Sequence, residues 1–177
     1  VVTEAVGSPL TRANTQFGNL HGVGGAYFST PNVVTTWPEL DIRARAQVDG
    51  FTNNHAYLFL SRNSFNLGMK RSGVDLRLSL NVNLAAGGSL DYSSIIFPAS
   101  QLGVRNWYRA TYDAATGDIK FFTADGNLEA PAISDYTQLG TTQNSGANAI
   151  AVSTIFFLVG ATSPFPTAYP FDGDIYR

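Results

Sequence analysis

Apolar and polar residues alternate with period two along much of this 177-residue chain, the spacing of a strand with one buried face. In Leu40–Val48, residues Leu40, Ile42, Ala44, Ala46 and Val48 fall on one side, and Asp41, Arg43, Arg45 and Gln47 on the other. Val74–Val82 is cleaner still. Val74, Leu76, Leu78, Leu80 and Val82 point inward there, while Asp75, Arg77, Ser79 and Asn81 point to solvent. A one-residue slip would put all five aliphatic side chains in water, so the alternation sets the register. Their burial contributes about 1.5–3 kcal/mol each before entropy is subtracted.

Further strands are predicted at Ala26–Thr30, Ala56–Arg62, Ser64–Lys70, Ser93–Phe97, Trp107–Tyr112, Asp118–Thr123, Tyr136–Thr142 and Ile155–Ala161, with a last one opening at Phe171 and running to Arg177. Turns are expected at Arg71-Ser72-Gly73 and at Asp113 to Gly117, where glycine supplies a positive φ and Asp113 bonds its own turn. Leu84–Ser94 and Thr162–Pro170 read as longer loops, the places where binding sites usually lie. Short strands at this spacing, with no sustained helical periodicity and no internal repeat, describe one all-β sandwich or barrel. The last strand stops without a turn signal, as if cut or continuing beyond the given residues.

Composition narrows the class of function. The net charge of −2 and a pI near 5.5 argue against nucleic-acid binding, and the eleven basic residues are scattered along the sequence, Arg43 and Arg45 coming closest to a cluster. That pair reads as the solvated face of a strand. No apolar run reaches the ~20 residues of a membrane span, and Val1–Val2 opens no signal peptide. Without cysteine there is neither a disulfide nor a thiolate metal site.

One ordered set of segments carries a family resemblance. Trp107 to Asp113, then Thr116-Gly117, then Ile119 to Phe122, is similar to the central hairpin of laminin-G-like, concanavalin A-like domains; Phe157 to Gly160 and Phe171 to Tyr176 are similar to their closing elements. Gly22 to Pro31, Leu40 to Arg43 and Tyr136 to Thr142 resemble, more narrowly, domains of minor tail proteins from phages that infect actinobacteria. The resemblance implies an antiparallel two-sheet jelly-roll sandwich over residues 21–177, preceded by an arm or linker over residues 1–20. It also implies a bacteriophage virion protein on the particle's outer surface, homo-oligomeric in the particle, partnered by other virion proteins and by host cell-surface carbohydrate. Neither nucleic acid nor membrane insertion is expected.

The chemistry open to such a domain can be weighed residue by residue. Related jelly-roll glucanases place their carboxylates on one strand in a Glu-x-Asp-x-Glu pattern. This chain has Glu39-Leu40-Asp41-Ile42-Arg43, and a guanidinium does not release a proton near neutral pH. His21 and His55 sit beside turn residues and no serine has a nucleophile-elbow setting, so the chain is expected not to be an enzyme. No cofactor is required. The resemblance makes calcium a candidate ion, with Asp91, Asp172 and Asp174 as oxygen ligands by loop position; Asp172-Gly173-Asp174 is equally a plain turn into the last strand. Trp37, Tyr92 and Tyr169 are candidate sugar platforms in loops, although Trp37 also reads as a plug closing the sandwich end. Trp107 follows strand alternation and is expected in the core. Two functions remain open. One is a lectin-like module that contacts host glycan at an acidic and aromatic cleft. The other is a structural decoration or assembly domain of capsid or tail with no glycan ligand.

Overall fold

A computed structural model describes residues 16–19, 28–29, 39–51, 55–61, 65–73, 75–94, 99–151, 157–159 and 171–176. Two sheets account for these strands, and every recorded pairing is antiparallel. Sheet A runs β1 (Gln16–Asn19), β13 (Phe171–Tyr176), β3 (Glu39–Phe51), β8 (Arg105–Asp113), β9 (Asp118–Asp125) and β10 (Thr137–Gln138), with β11 (Gln143–Asn144) also on β9. Sheet B runs β2 (Phe28–Ser29), β12 (Phe157–Val159), β4 (His55–Ser61), β5 (Phe65–Ser72), β6 (Asp75–Asn83) and β7 (Ser89–Ser93). The chain goes from A to B and back over β1, β2 and β3, moves to B after β3, returns to A at β8, and crosses twice more at β12 and β13. That is the antiparallel two-sheet sandwich that the family resemblance implies, and one of the two architectures the alternation allows.

The core lies between the inner faces. Leu40, Ile42, Ala44, Ala46 and Val48 of β3 are buried against a layer that includes Leu67, Met69, Leu76, Leu78, Leu80 and Val82. Their outward neighbours Asp41 and Arg43 are exposed, Arg45 and Gln47 half-buried. Val74 lies outside the described residues, and β6 begins at Asp75.

Several expectations need correcting. Ser79 is not on a solvent face: it is 1% exposed, and its hydroxyl donates to Gly68 O at 3.3 Å. Gly68 pairs directly with Ser79 and has no side chain, so the hydroxyl sinks toward the neighbouring strand. Trp107 is not core. Two aromatic residues in a row leave β8 two frames, and the observed one turns Tyr108, Ala110 and Tyr112 inward, which keeps the Arg109 guanidinium out of the core. The segment Leu84–Ser94 is not one loop, because a turn over 85–88, with Gly87 and Gly88 at φ +92° and +86°, feeds strand β7. Asp172-Gly173-Asp174 is no turn; it lies within β13, where the register against β3 shifts between Asp172 and Gly173. Tyr136–Thr142 is not one strand: a 3-10 turn, Ile133–Asp135, precedes it, and within it only two-residue β10 is strand. Gln16–Asn19, inside the predicted arm, is built into sheet A beside β13.

Candidate functional site

Across β8, β9 and β10 the residues Tyr108, Thr123 and Thr137 stand in register on the core-facing side of sheet A. Next to them is the last pair of the β8–β9 ladder, Asn106 opposite Asp125. There the sandwich opens into a pocket of about 370 Å³, which Gln101, Asp135 and Leu139 complete. Its residues come from strand ends and turns, and nothing in their sequence spacing links them. Asp125 and Asp135 read as ordinary turn residues, which is why the sequence does not single them out.

Both sides of the pocket are held from the opposite face of sheet A. The turn after Asp125 is drawn back over that face. Arg45 Nε donates to Gly126 O at 2.8 Å, an Arg105 guanidinium nitrogen donates to Asn127 Oδ1 at 3.0 Å, and Trp107 Nε1 donates to Leu128 O at 2.9 Å. A Cβ on Gly126 would lie 2.1 Å from Arg105 O, so only glycine permits this approach. Asp125 Oδ1 accepts from Asn127 N at 2.8 Å within the turn.

The Asp135 side is pinned by Tyr136, which alternation sends to the outer face while Asp135 and Thr137 turn to the pocket. The Tyr136 ring lies 5.4 Å from the Arg109 guanidinium carbon and 5.8 Å from that of Arg43, and Arg109 also covers Phe122 at 4.7 Å. Arg43 and Arg109 face each other across β3 and β8, and like charges directly opposite repel. Asp41 resolves the conflict by accepting from both. Arg109 Nε and a terminal nitrogen bond it at 2.8 and 3.1 Å, and Arg43 does the same at 3.2 and 2.6 Å. Partial burial pushes the Asp41 carboxyl pKa up, but the bonds and charges of the two arginines outweigh it and hold it below the ordinary value. Burial raises the Tyr136 pKa, opposed by the same arginines. The glucanase-like position Arg43 is therefore an ion-pair partner of Asp41 that braces a fold segment.

Inside the pocket the hydrogen-bonding capacity is uneven. Asn106 Nδ2 donates to Gln101 Oε1 at 3.0 Å and to Val104 O at 3.4 Å. Thr123 Oγ1 donates to Trp107 O at 3.1 Å. Asp135 Oδ2 accepts from Ala132 N at 2.7 Å. The Tyr108 side chain is 2% exposed, and its hydroxyl has no hydrogen-bond partner among the described residues. Burial pushes its pKa up, with the nearby Asn106 amide opposing. Val104, Leu128 and Ile133, the exposed large apolar side chains among the described residues, stand on segments that border this mouth.

Among the described residues, the predicted site residues lie outside this lining. Trp37 and Tyr169 lie outside the described residues. Tyr92 stands on β7 opposite Leu80 and packs half-buried against the core. Asp91, also on β7, pairs with Lys70, and Asp174 lies on β13 in the other sheet, 8% exposed. Asp172 is a backbone position of β13 next to the register shift. Among the described residues no group of three or more His, Asp or Glu could hold a metal ion.

No family model and no curated protein matches the sequence. Solved structures do match. A native heptameric SAP-like pentraxin from Limulus polyphemus superposes with a TM-score of 0.59 at 15% identity, over 91% of this chain and 71% of its own. A family 18 polysaccharide lyase, aly-SJ02, gives 0.38 at 8% identity over 78% of this chain and 52% of its own. An engineered GH43 glycoside hydrolase gives 0.40 at 15% identity over 99% and 43%. At these identities the pentraxin likeness bears on fold alone, and the other two fall too low to bear on anything. The chain folds as a concanavalin A-like jelly-roll sandwich of the kind seen in the pentraxin.

Proposed function

We propose that this chain is a non-enzymatic carbohydrate-binding module of a phage tail or particle surface, and that the rim pocket beside β8, β9 and β10 holds the sugar. The observation that carries this reading is the pocket itself, a cleft lined by two carboxylates, two amides and two threonine hydroxyls whose open positions suit a polyhydroxylated ligand. A non-enzymatic role is supported by the same residues. Asp125 and Asp135 are exposed, and one oxygen of each serves a turn, whereas a general acid is normally kept in an apolar enclosure. The virion assignment rests on the likeness of Gly22 to Pro31, Leu40 to Arg43 and Tyr136 to Thr142 to phage minor tail domains.

A glycan array probed with the whole chain, with the Asp125→Asn/Asp135→Asn double variant beside it, tests the reading. Specific signals that the double variant loses support it; no signal, or signals unchanged in the variant, sink it. Release of reducing ends from a bound glycan above a heat-killed control would make the protein an enzyme. A second reading, assembly without a glycan ligand, draws support from exposed Val104, Leu128 and Ile133, side chains suited to a protein contact. Hundreds of copies per particle with a blank array would favour it.

A further inference from the structure

Resting on that reading of the rim pocket, we propose that its ligand is a sugar bearing a free primary amine. The pocket carries two carboxylates and several open acceptors, beside which Gln101 Nε2 and the Thr137 hydroxyl are its open donors. Asn106 Nδ2 donates to Gln101 Oε1 at 3.0 Å and more weakly to Val104 O at 3.4 Å, and Asn106 Oδ1 faces the ligand as an acceptor. Thr123 spends its proton on Trp107 O and likewise has only lone pairs to offer. Asp125 and Asp135 each commit one oxygen to a turn N–H, and the second oxygen of each has no bond among the described residues. Neither carboxylate enters an ion pair there, and no Lys or Arg is among the described residues of the lining.

An alkylammonium presents three donors to the two carboxylates, Asn106 Oδ1 and Thr123 Oγ1, and ring hydroxyls can accept from Gln101 Nε2 and Thr137, while a uronate or phosphate would bring a further negative charge against Asp125 and Asp135. Neutral sugars fall between. The buried Tyr108 hydroxyl, which has no hydrogen-bond partner among the described residues and belongs to a residue lining the same cavity, adds a donor–acceptor group for a ring hydroxyl. A bare cation would leave that hydroxyl unmet, which favours an amino sugar over a lysine side chain.

Isothermal titration of the whole chain with an oligomer of β-1,4-glucosamine, its fully N-acetylated counterpart, an oligouronate of equal length and trilysine tests this. The amine oligomer should bind at least tenfold more tightly than the N-acetylated one. Asp125→Asn or Asp135→Asn should each weaken it about tenfold, equal to ~1.4 kcal/mol. Binding should also weaken between 50 and 300 mM salt. Asp91→Asn, an acidic change outside the pocket, should leave affinity unaltered. Tyr108→Phe should bind several-fold more weakly while melting no lower than wild type, since its hydroxyl has no hydrogen-bond partner among the described residues to lose.

Equal or tighter binding of the N-acetylated oligomer or the oligouronate would overturn the amine inference and leave the sugar site standing. Equal affinity for trilysine, or an Asp91→Asn loss as large as that of Asp125→Asn, would overturn it as mere charge attraction. No binding by any probe would overturn it too, and the array would then show whether the sugar site falls with it.

Discussion

Replacing Asp41 with asparagine should destabilise the fold by about 2 kcal/mol and weaken the pocket from behind. The carboxylate accepts charge-assisted bonds from two guanidiniums that would otherwise face each other across β3 and β8. Bonds to charged groups contribute ~1.5–3 kcal/mol each way, and breaking a fully buried pair costs ~3–5 kcal/mol. Here the Arg109 side chain is 11% exposed, but Asp41 and Arg43 are 37% and 36% exposed. Water therefore screens the Arg43 half to ~0–1 kcal/mol and discounts the rest. For a chain of this size ~2 kcal/mol lowers the melting temperature by about 4–8 °C.

The effect should depend on pH with a definite sign. The folded Asp41 pKa lies below the ordinary value, so its stabilisation is present above the unfolded pKa and lost as pH falls through the folded one. Thermal melts at pH 7 should separate wild type from Asp41→Asn, and melts at progressively lower pH should bring them together. If the two melt within a degree at pH 7, or the gap widens in acid, the bracing role assigned to Asp41 is wrong.

Three other outcomes are expected. Ser79→Asp should unfold the domain or lower its melting temperature by more than ten degrees, because a carboxylate at a 1% exposed site must be buried charged or protonated; a melt within two degrees of wild type would show that the site is open. Gly117→Ala should cost several kcal/mol in chemical denaturation, since φ is +79° and the new Cβ would sit 2.1 Å from Gly146 O; an unchanged midpoint would refute that packing. Deleting residues 1–20 strips β1 from β13 and should lower the melting temperature measurably, whereas an unchanged melt would make those residues the detached arm that the sequence suggests.

The sandwich was legible because a strand with one wet face must alternate, and Leu40–Val48 and Leu76–Val82 do so without interruption. Alternation says which residues share a side; it does not say what covers the other side, hence the error at Ser79. Nor does it choose between frames when both are aromatic, hence Trp107. The pocket was illegible for a different reason. Gln101, Asn106, Asp125 and Asp135 come together only once β8 and β9 are in register and two turns fold back, and each looks locally like turn or strand-end chemistry. The pairing of Arg43 with Arg109 is invisible for the same cause, since 66 positions separate residues that the ladder sets directly opposite.

On the outer side of β9, the chain lays down β10 and β11, two residues each, and between them Leu139 N returns to Phe121 O. A long, regular edge strand offers solvent-facing N–H and C=O groups on which another chain can grow a strand. This one gives any newcomer only two ladder positions before the backbone turns away. Copies crowded together at high local concentration are thereby kept from fusing through this side into one continuous sheet. Contacts that form along this side between neighbours must be made by side chains, and so can be specific.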